Sequence, residues 1–345
     1  MKFRIYLVGT FVIAVFIISC VQSSARKIGV KQANINGISF VASPNKLLQE
    51  NIIPLKNIHA NHASIMPFGF IRNLNHPEVV FNTERQWFGE TRVGAKQYIN
   101  MLHQNNLHVM LKPQIWIWHG EYTGYLKMDT NEDWMTLEES YGDFILDFAK
   151  LAQETNVEVF CIGTELEQFI IHRPEFWNRL ISEIKKIYKG KLTYAANWDE
   201  YKRVPFWKQL DYIGVDAYFP VSEVKTPTVK DSRIGWGSWK KEMEAISDSI
   251  DKEILFTEFG YRAINYAGKE PWESDHTIAN INLEAQSNLT TALFEEIWNE
   301  DWFAGGYLWK WHINHKEVGG EKDNQFTPQN KPVEKIIRSY YFEKN

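Results

Sequence analysis

Short apolar runs alternate with longer stretches in which apolar residues recur at helical spacing. The runs are Ile38–Val41, Ala63–Met66, His108–Ile117, Val157–Ile162, Leu192–Ala196, Tyr212–Val215, Glu253–Thr257 and Gly306–Trp309. Between them, Tyr141–Thr155 places Phe144, Ile145, Phe148, Ala149 and Ala152 on one stripe. Glu175–Lys189 does the same with Phe176, Leu180, Ile184 and Ile187. Strand-like runs followed by helices predict a parallel sheet. Eight such runs predict a closed (β/α)8 barrel, an α/β fold in a single catalytic domain, rather than a doubly wound sheet. No glycine-rich phosphate fingerprint follows the first run, which counts against dinucleotide binding.

The long irregular pieces are 69–90, 120–133, 219–237, 261–275 and 312–332. Nearly all follow strand-like runs directly, so in a barrel they form βα loops at the C-terminal face, where active sites sit. Their length predicts a walled cleft.

The first residues stand outside this pattern. Lys2 and Arg4 precede the apolar run Ile5 to Ile18, and the small residue Ser19 precedes Cys20. The run is short for a membrane span, which needs roughly 20 residues. Together these features describe an export signal. Ile17-Ile18-Ser19-Cys20 resembles a bacterial lipobox, which implies acylation of Cys20. The expected organisation is a signal peptide over 1–19, a polar tether over 20–34 and a barrel over 35–345. The expected location is the cell envelope, lipid-anchored on the periplasmic or the outer face. Cys161 is the only other cysteine, so with Cys20 lipidated no intramolecular disulfide can form.

Composition adds two constraints. A formal charge of −5 with no long basic run excludes nucleic acid as an expected partner. The 14 tryptophans suit either a core filled with large rings or flat faces on which sugar rings stack.

The chemistry concentrates in two places. The fourth run ends in Gly163-Thr164-Glu165-Leu166-Glu167, and the seventh in Phe256-Thr257-Glu258-Phe259. A glutamate at the end of a buried strand is costly unless solvated or paired. At the rim of a barrel both point into one cleft, where glycoside hydrolysis needs two carboxyls, one to protonate the leaving oxygen and one to attack or activate water. Glu167 shares a strand face with Glu165 and ranks second because it lies further into the loop. Lys112, inside the third run, is expected to pair with a barrel carboxylate such as Asp216. Asp129-x-Asn131-x-Asp133 begins like a calcium loop but has Trp134 where glycine is needed. No metal and no cofactor are expected.

The pairing of strands four and seven resembles the clan A glycoside hydrolases. More narrowly, the chain resembles glycoside hydrolase family 113, known for β-1,4-mannanases. The matching stretches include Ser64-Ile-Met-Pro-Phe-Gly-Phe70, Met110-Leu-Lys-Pro-Gln-Ile-Trp116, Phe160-Cys-Ile-Gly-Thr-Glu-Leu166, Gly214-Val-Asp-Ala-Tyr218, Phe256-Thr-Glu-Phe-Gly-Tyr261 and Gly306-Tyr-Leu-Trp-Lys-Trp311. The resemblance implies a retaining hydrolase of mannan or manno-oligosaccharides, with Glu165 as acid/base, Glu258 as nucleophile and Tyr218 bonded to the nucleophile. It also implies that Trp309 or Trp311 lies under the sugar at the cleavage site. Many clan A enzymes carry Asn immediately before the acid/base. Here that residue is Thr164, so the contact of that Asn to the sugar 2-hydroxyl does not carry over. Trp116, Trp118 and His119, with Asn197 and Trp198, are further candidate sugar contacts at strand ends. The protein is expected to act as a monomer. Two alternatives stay open: another β-glycan specificity or exo-action on the same barrel, and a non-catalytic glycan-binding lipoprotein.

Overall fold

The computed structural model describes residues 34–274 and 279–343. These fall in one unit, residues 33–345. The expected signal, Cys20 and the tether up to residue 33 lie outside the described residues.

The described residues form ten strands in chain order: β1 (Ile35–Phe40), β2 (His62–Ile65), β3 (Phe68–Ile71), β4 (His108–Leu111), β5 (Gln114–Ile117), β6 (Val159–Thr164), β7 (Lys191–Asn197), β8 (Ile213–Asp216), β9 (Ile254–Phe259) and β10 (Phe303–Trp311). Eight of them close a parallel barrel in the order β1-β10-β9-β8-β7-β6-β4-β2, the architecture predicted from the alternating pattern. The run 108–117 is not one strand. Pro113 cannot donate to a ladder, and beyond it the chain leaves the barrel. β5 then pairs with β3 in a separate two-stranded parallel sheet over the mouth. Trp116 therefore sits on this extra sheet, not at the end of a barrel strand.

Among the described residues, eight α-helices accompany the strands: α1 (Gln49–Asn57), α2 (Arg92–Gln104), α3 (Asn131–Glu154), α4 (Glu167–His172), α5 (Pro174–Ile187), α6 (Val229–Ile250), α7 (Leu283–Ile297) and α8 (Pro332–Glu343). α3 begins ten residues before the apolar stripe does. Thr130 caps it, its hydroxyl accepting from Asp133 N at 3.1 Å. The calcium-like triplet 129–133 thus straddles a helix start. Likewise α6 starts at Val229, capped by Thr228, inside the stretch expected to be loop. Between β7 and β8 no α-helix intervenes; turns and a single 3-10 turn, Trp207–Gln209, make the crossover.

Ile35, Met110, Val159, Cys161, Ala195, Leu255 and Tyr307 fill the barrel interior. The helices bury their apolar stripes against the outer faces of the strands. The tryptophans divide between core and surface. Trp177, Trp236, Trp298 and Trp311 are fully buried, whereas Trp116, Trp118 and Trp272 are exposed.

Two bulges aim the site. Cys161 pairs with Thr193 and Thr164 with Ala195, so β6 carries one residue more than β7 over this span. On β9, Val215 pairs with Phe256 but Asp216 with Glu258. A bulge of this kind interrupts the two-residue alternation and re-aims a side chain. Thr257 and Glu258, neighbours in sequence, consequently both reach groups inside the mouth: Thr257 bonds Asp216 and Glu258 bonds Lys112.

Candidate active site

A cavity of about 330 Å³ opens at the C-terminal mouth of the barrel. Gln114, Trp116, Tyr122, Thr164, Glu165, Asp216, Glu258, Trp309 and Lys310 are among its lining residues. A larger hollow of about 640 Å³ lies between α1, residues 313–317 and α8, but none of the candidate site residues lines it.

Glu258 is held from both oxygens. Oε1 accepts from Lys112 Nζ at 2.6 Å and from Gln114 Nε2 at 3.1 Å, and Oε2 accepts from Tyr218 Oη at 2.7 Å. Three donors fix the plane of the carboxylate, and one of them is an ammonium. Asp216 shares that ammonium, at 3.1 and 3.3 Å, and accepts from Thr257 Oγ1 at 2.8 Å. Lys112 is fully buried. Burial depresses its pKa, but Asp216 and Glu258 outweigh that and hold it above the usual value. Burial and the charge of Glu258 push Asp216 up, to about 7, against the pull of Lys112. The expected pairing of Lys112 with Asp216 thus extends to Glu258. Lys112→Met would leave two carboxylates facing each other without a cation. Breaking a buried pair by removing one partner costs about 3–5 kcal/mol, so urea unfolding should show a loss of that size. A loss under about 1 kcal/mol would mean that the triad contributes nothing net.

Glu165 sits in the opposite situation. Its backbone is left-handed, φ 49°, a conformation that a residue with a β-carbon adopts at a cost. Its amide donates to Ala195 O at 2.8 Å, and its carboxyl lines the cavity. Removal from water raises its pKa well above the carboxylate range, and the negative charges of Asp216 and Glu258 raise it further, against Lys112. The two glutamates therefore differ in the way acid/base chemistry requires. One is clamped beside an ammonium, and the surroundings of the other favour its protonated form.

The remaining predicted residues divide. Tyr218 bonds Glu258 as stated, and Trp309 and Trp116 line the cavity. Trp311 does not. It is fully buried, with its ring 5.5 Å from that of His315. The spacing of two put Trp309 and Trp311 on one face, but the register of β10 against β1 shifts before Trp311. Trp311 is thus a core residue, not a sugar contact. His119 is exposed beside Trp118 and does not border the cavity. The Asn197 side chain donates to Tyr122 Oη at 2.7 Å. Trp198 stacks on Trp272, centroids 5.1 Å apart, and does not line the cavity. Glu167 pairs with Arg203 at the start of α4.

Three wall residues went unremarked in the sequence. Gln114 sat in the same apolar run as Lys112, where a second polar group was the available signal. Tyr122 comes from an irregular loop and Lys310 from a Trp-flanked strand end, with no signal to set them apart. Burial holds the Lys310 ammonium below its usual value, against the attraction of Glu258 and Asp323.

A family model described as Glycoside Hydrolase Family 113 matches residues 45–331. No curated protein sequence matches the chain significantly. Among solved structures, a β-mannanase of that family from Alicyclobacillus acidocaldarius superposes with a TM-score of 0.78 at 21% identity, covering 91% of this chain and 99% of the other. A second β-1,4-mannanase of the family also gives 0.78, at 23% identity, with 90% and 99% covered. The barrel of Faecalibacterium prausnitzii β-glucuronidase is more distant, with a TM-score of 0.59 at 12% identity over 91% of this chain and 50% of that one. At such identities these likenesses speak for the fold.

Proposed function

The chain belongs to glycoside hydrolase family 113, and from that premise we propose that it is a retaining hydrolase of β-1,4-linked mannan or manno-oligosaccharides. In this reading Glu258 attacks the anomeric carbon while Glu165 protonates the departing oxygen. The observation that carries it is the asymmetry of the two carboxyls in one cavity. Three donors, Lys112 among them, aim Glu258, and the surroundings of Glu165 favour its protonated form. The β-1,4-mannanases among the similar solved structures favour mannan as the substrate.

Mannose differs from glucose in the axial hydroxyl at C2, so preference for it has to come from polar wall groups rather than from ring stacking. Among the candidate contacts at strand ends, the Asn197 side-chain amide is engaged by Tyr122 and His119 does not line the cavity; Thr164 lines the wall, but its hydroxyl is buried. Gln114, Tyr122 and Lys310 are among the polar residues that line the cavity. Specificity constants on mannohexaose, cellohexaose and xylohexaose test the assignment. Mannohexaose should lead by at least about tenfold, roughly 1.4 kcal/mol in transition-state binding. A smaller lead would defeat the mannan reading and leave the two-glutamate chemistry to its own tests.

We also propose that the protein is exported and tethered to a membrane through acylated Cys20, on the strength of the positive start, apolar run and lipobox-like stretch ahead of it. Cells fed labelled palmitate should yield labelled, membrane-associated protein, and Cys20→Ala should lose the label. A label that persists would place the tether elsewhere. A single acyl chain anchors only marginally, so stable attachment would imply more than one chain on this cysteine.

A further inference from the structure

The turn that replaces a helix after β7 carries a carboxyl that the proposed mechanism does not use. Glu200 is 1% exposed. Its Oε1 accepts from Tyr194 Oη at 2.8 Å, and its Oε2 accepts from the Asn197 amide at 3.0 Å. Among the described residues no cation hydrogen-bonds to it, and Tyr194 itself packs among Trp177, Phe206 and Trp207. A carboxyl in such surroundings is costly, so what it holds in place matters.

It holds two walls of the cavity. Tyr194 Oη, while donating to Glu200, accepts from the Leu166 amide at 2.6 Å. That amide immediately follows Glu165, and the Glu165 amide is itself bonded to Ala195 O. Two consecutive N–H groups around the left-handed residue are thus fixed by β7, one of them through Tyr194 and Glu200. Left-handed backbone at a residue other than glycine persists where its surroundings over-determine it. The second oxygen of Glu200 fixes the main chain at Asn197, whose side chain donates to Tyr122 Oη, and Tyr122 lines the cavity beside Glu165.

We propose that Glu200, acting through Tyr194, is a positioning residue for the proton donor: it sets the backbone on which Glu165 is presented and, through Asn197, the tyrosine beside it. Burial pushes the Glu200 carboxyl up to about 8, against the bonds it accepts from Asn197 and Tyr194, so the role rests on those hydrogen bonds rather than on its charge. Glu200 touches no substrate in this account. The inference rests on Glu165 being the acid.

Leaving groups separate this role from a plain structural staple. A sugar leaving group needs protonation and an activated aryl group needs little. Tyr194→Phe keeps the ring and removes the link. It should cut kcat/KM on the oligosaccharide the enzyme cleaves by at least about tenfold, and on a dinitrophenyl glycoside of the same sugar by less than about threefold. Glu200→Gln, which retains one acceptor, should show the same split to a smaller degree. Equal losses on both substrates, no loss on either, or failure of both variants to fold would assign the network to stability alone and overturn the proposal. Glu165→Ala, measured alongside, keeps the two readings apart. If it shows the split and Tyr194→Phe does not, only the positioning role fails. If Glu165→Ala shows no split, Glu165 is not the acid and both readings fall.

Discussion

Glu258→Gln should abolish turnover while leaving the protein folded. The substitution keeps the size of the side chain and an oxygen that can still accept from Lys112 at the position now 2.6 Å from Nζ. Lys112 keeps its bonds to Asp216, so no buried charge loses its only partner and the melting temperature should move by a few degrees at most. What disappears is the nucleophile. An amide oxygen does not form the glycosyl-enzyme bond at a useful rate, and the loss should be on the order of 10⁴-fold or more in kcat, roughly 5.4 kcal/mol. Two further measurements bear on the same step. A 2-fluoro glycoside inactivator should label Glu258 in a peptide map, and proton NMR should show the first-formed sugar with its anomeric configuration retained. Label on Glu165 or Glu167, or first release of the inverted anomer, would remove Glu258 from this role.

Much of this arrangement is legible in the sequence, and the parts that are not share a cause. Periodicity identified the barrel because each strand buries both faces and each helix one stripe, so the alternation of apolar runs with amphipathic stretches is a direct image of the layers. Lys112 and Asp216 were visible as polar residues in strands that should have none. Periodicity fails where the backbone leaves the ideal ladder. Pro113 ends a barrel strand inside a run that reads as one continuous strand, which moves Trp116 onto a separate sheet. The register shift in β10 sends Trp309 to the cavity and Trp311 to the core, although their spacing placed them together. The bulges on β6 and β9 that aim the two glutamates leave no mark in the pattern. Glu200 and Tyr122 were out of reach for another reason. Each belongs to a turn or loop, and only the folded chain shows that they join the ends of β6 and β7.

Glu165→Ala should separate substrates by their leaving groups. The side chain faces the cavity, and its carboxyl accepts no hydrogen bond from the described residues that would have to be replaced, so the variant should fold. Without a proton donor, cleavage of an oligosaccharide must expel an alkoxide, and kcat/KM should fall by about 10²–10⁴-fold. A dinitrophenyl glycoside leaves as a stable phenolate, so formation of the glycosyl-enzyme should be nearly unaffected. Its breakdown should become limiting, because the same residue must activate the incoming water. Azide needs no such activation. It should restore turnover on the activated substrate and yield the β-glycosyl azide, a product the unmodified enzyme does not favour. The pH profile should change in step. In the wild type the acid must be protonated, so activity should persist to a pH above the ordinary carboxylate range and fall as pH rises through the elevated Glu165 value, which burial, Asp216 and Glu258 set. In Glu165→Ala that alkaline limb should vanish for the activated substrate. Uniform damage to all substrates, no response to azide and an unchanged alkaline limb would together move the acid/base role to another group. Glu167 would be the first to test, by breaking its pairing with Arg203.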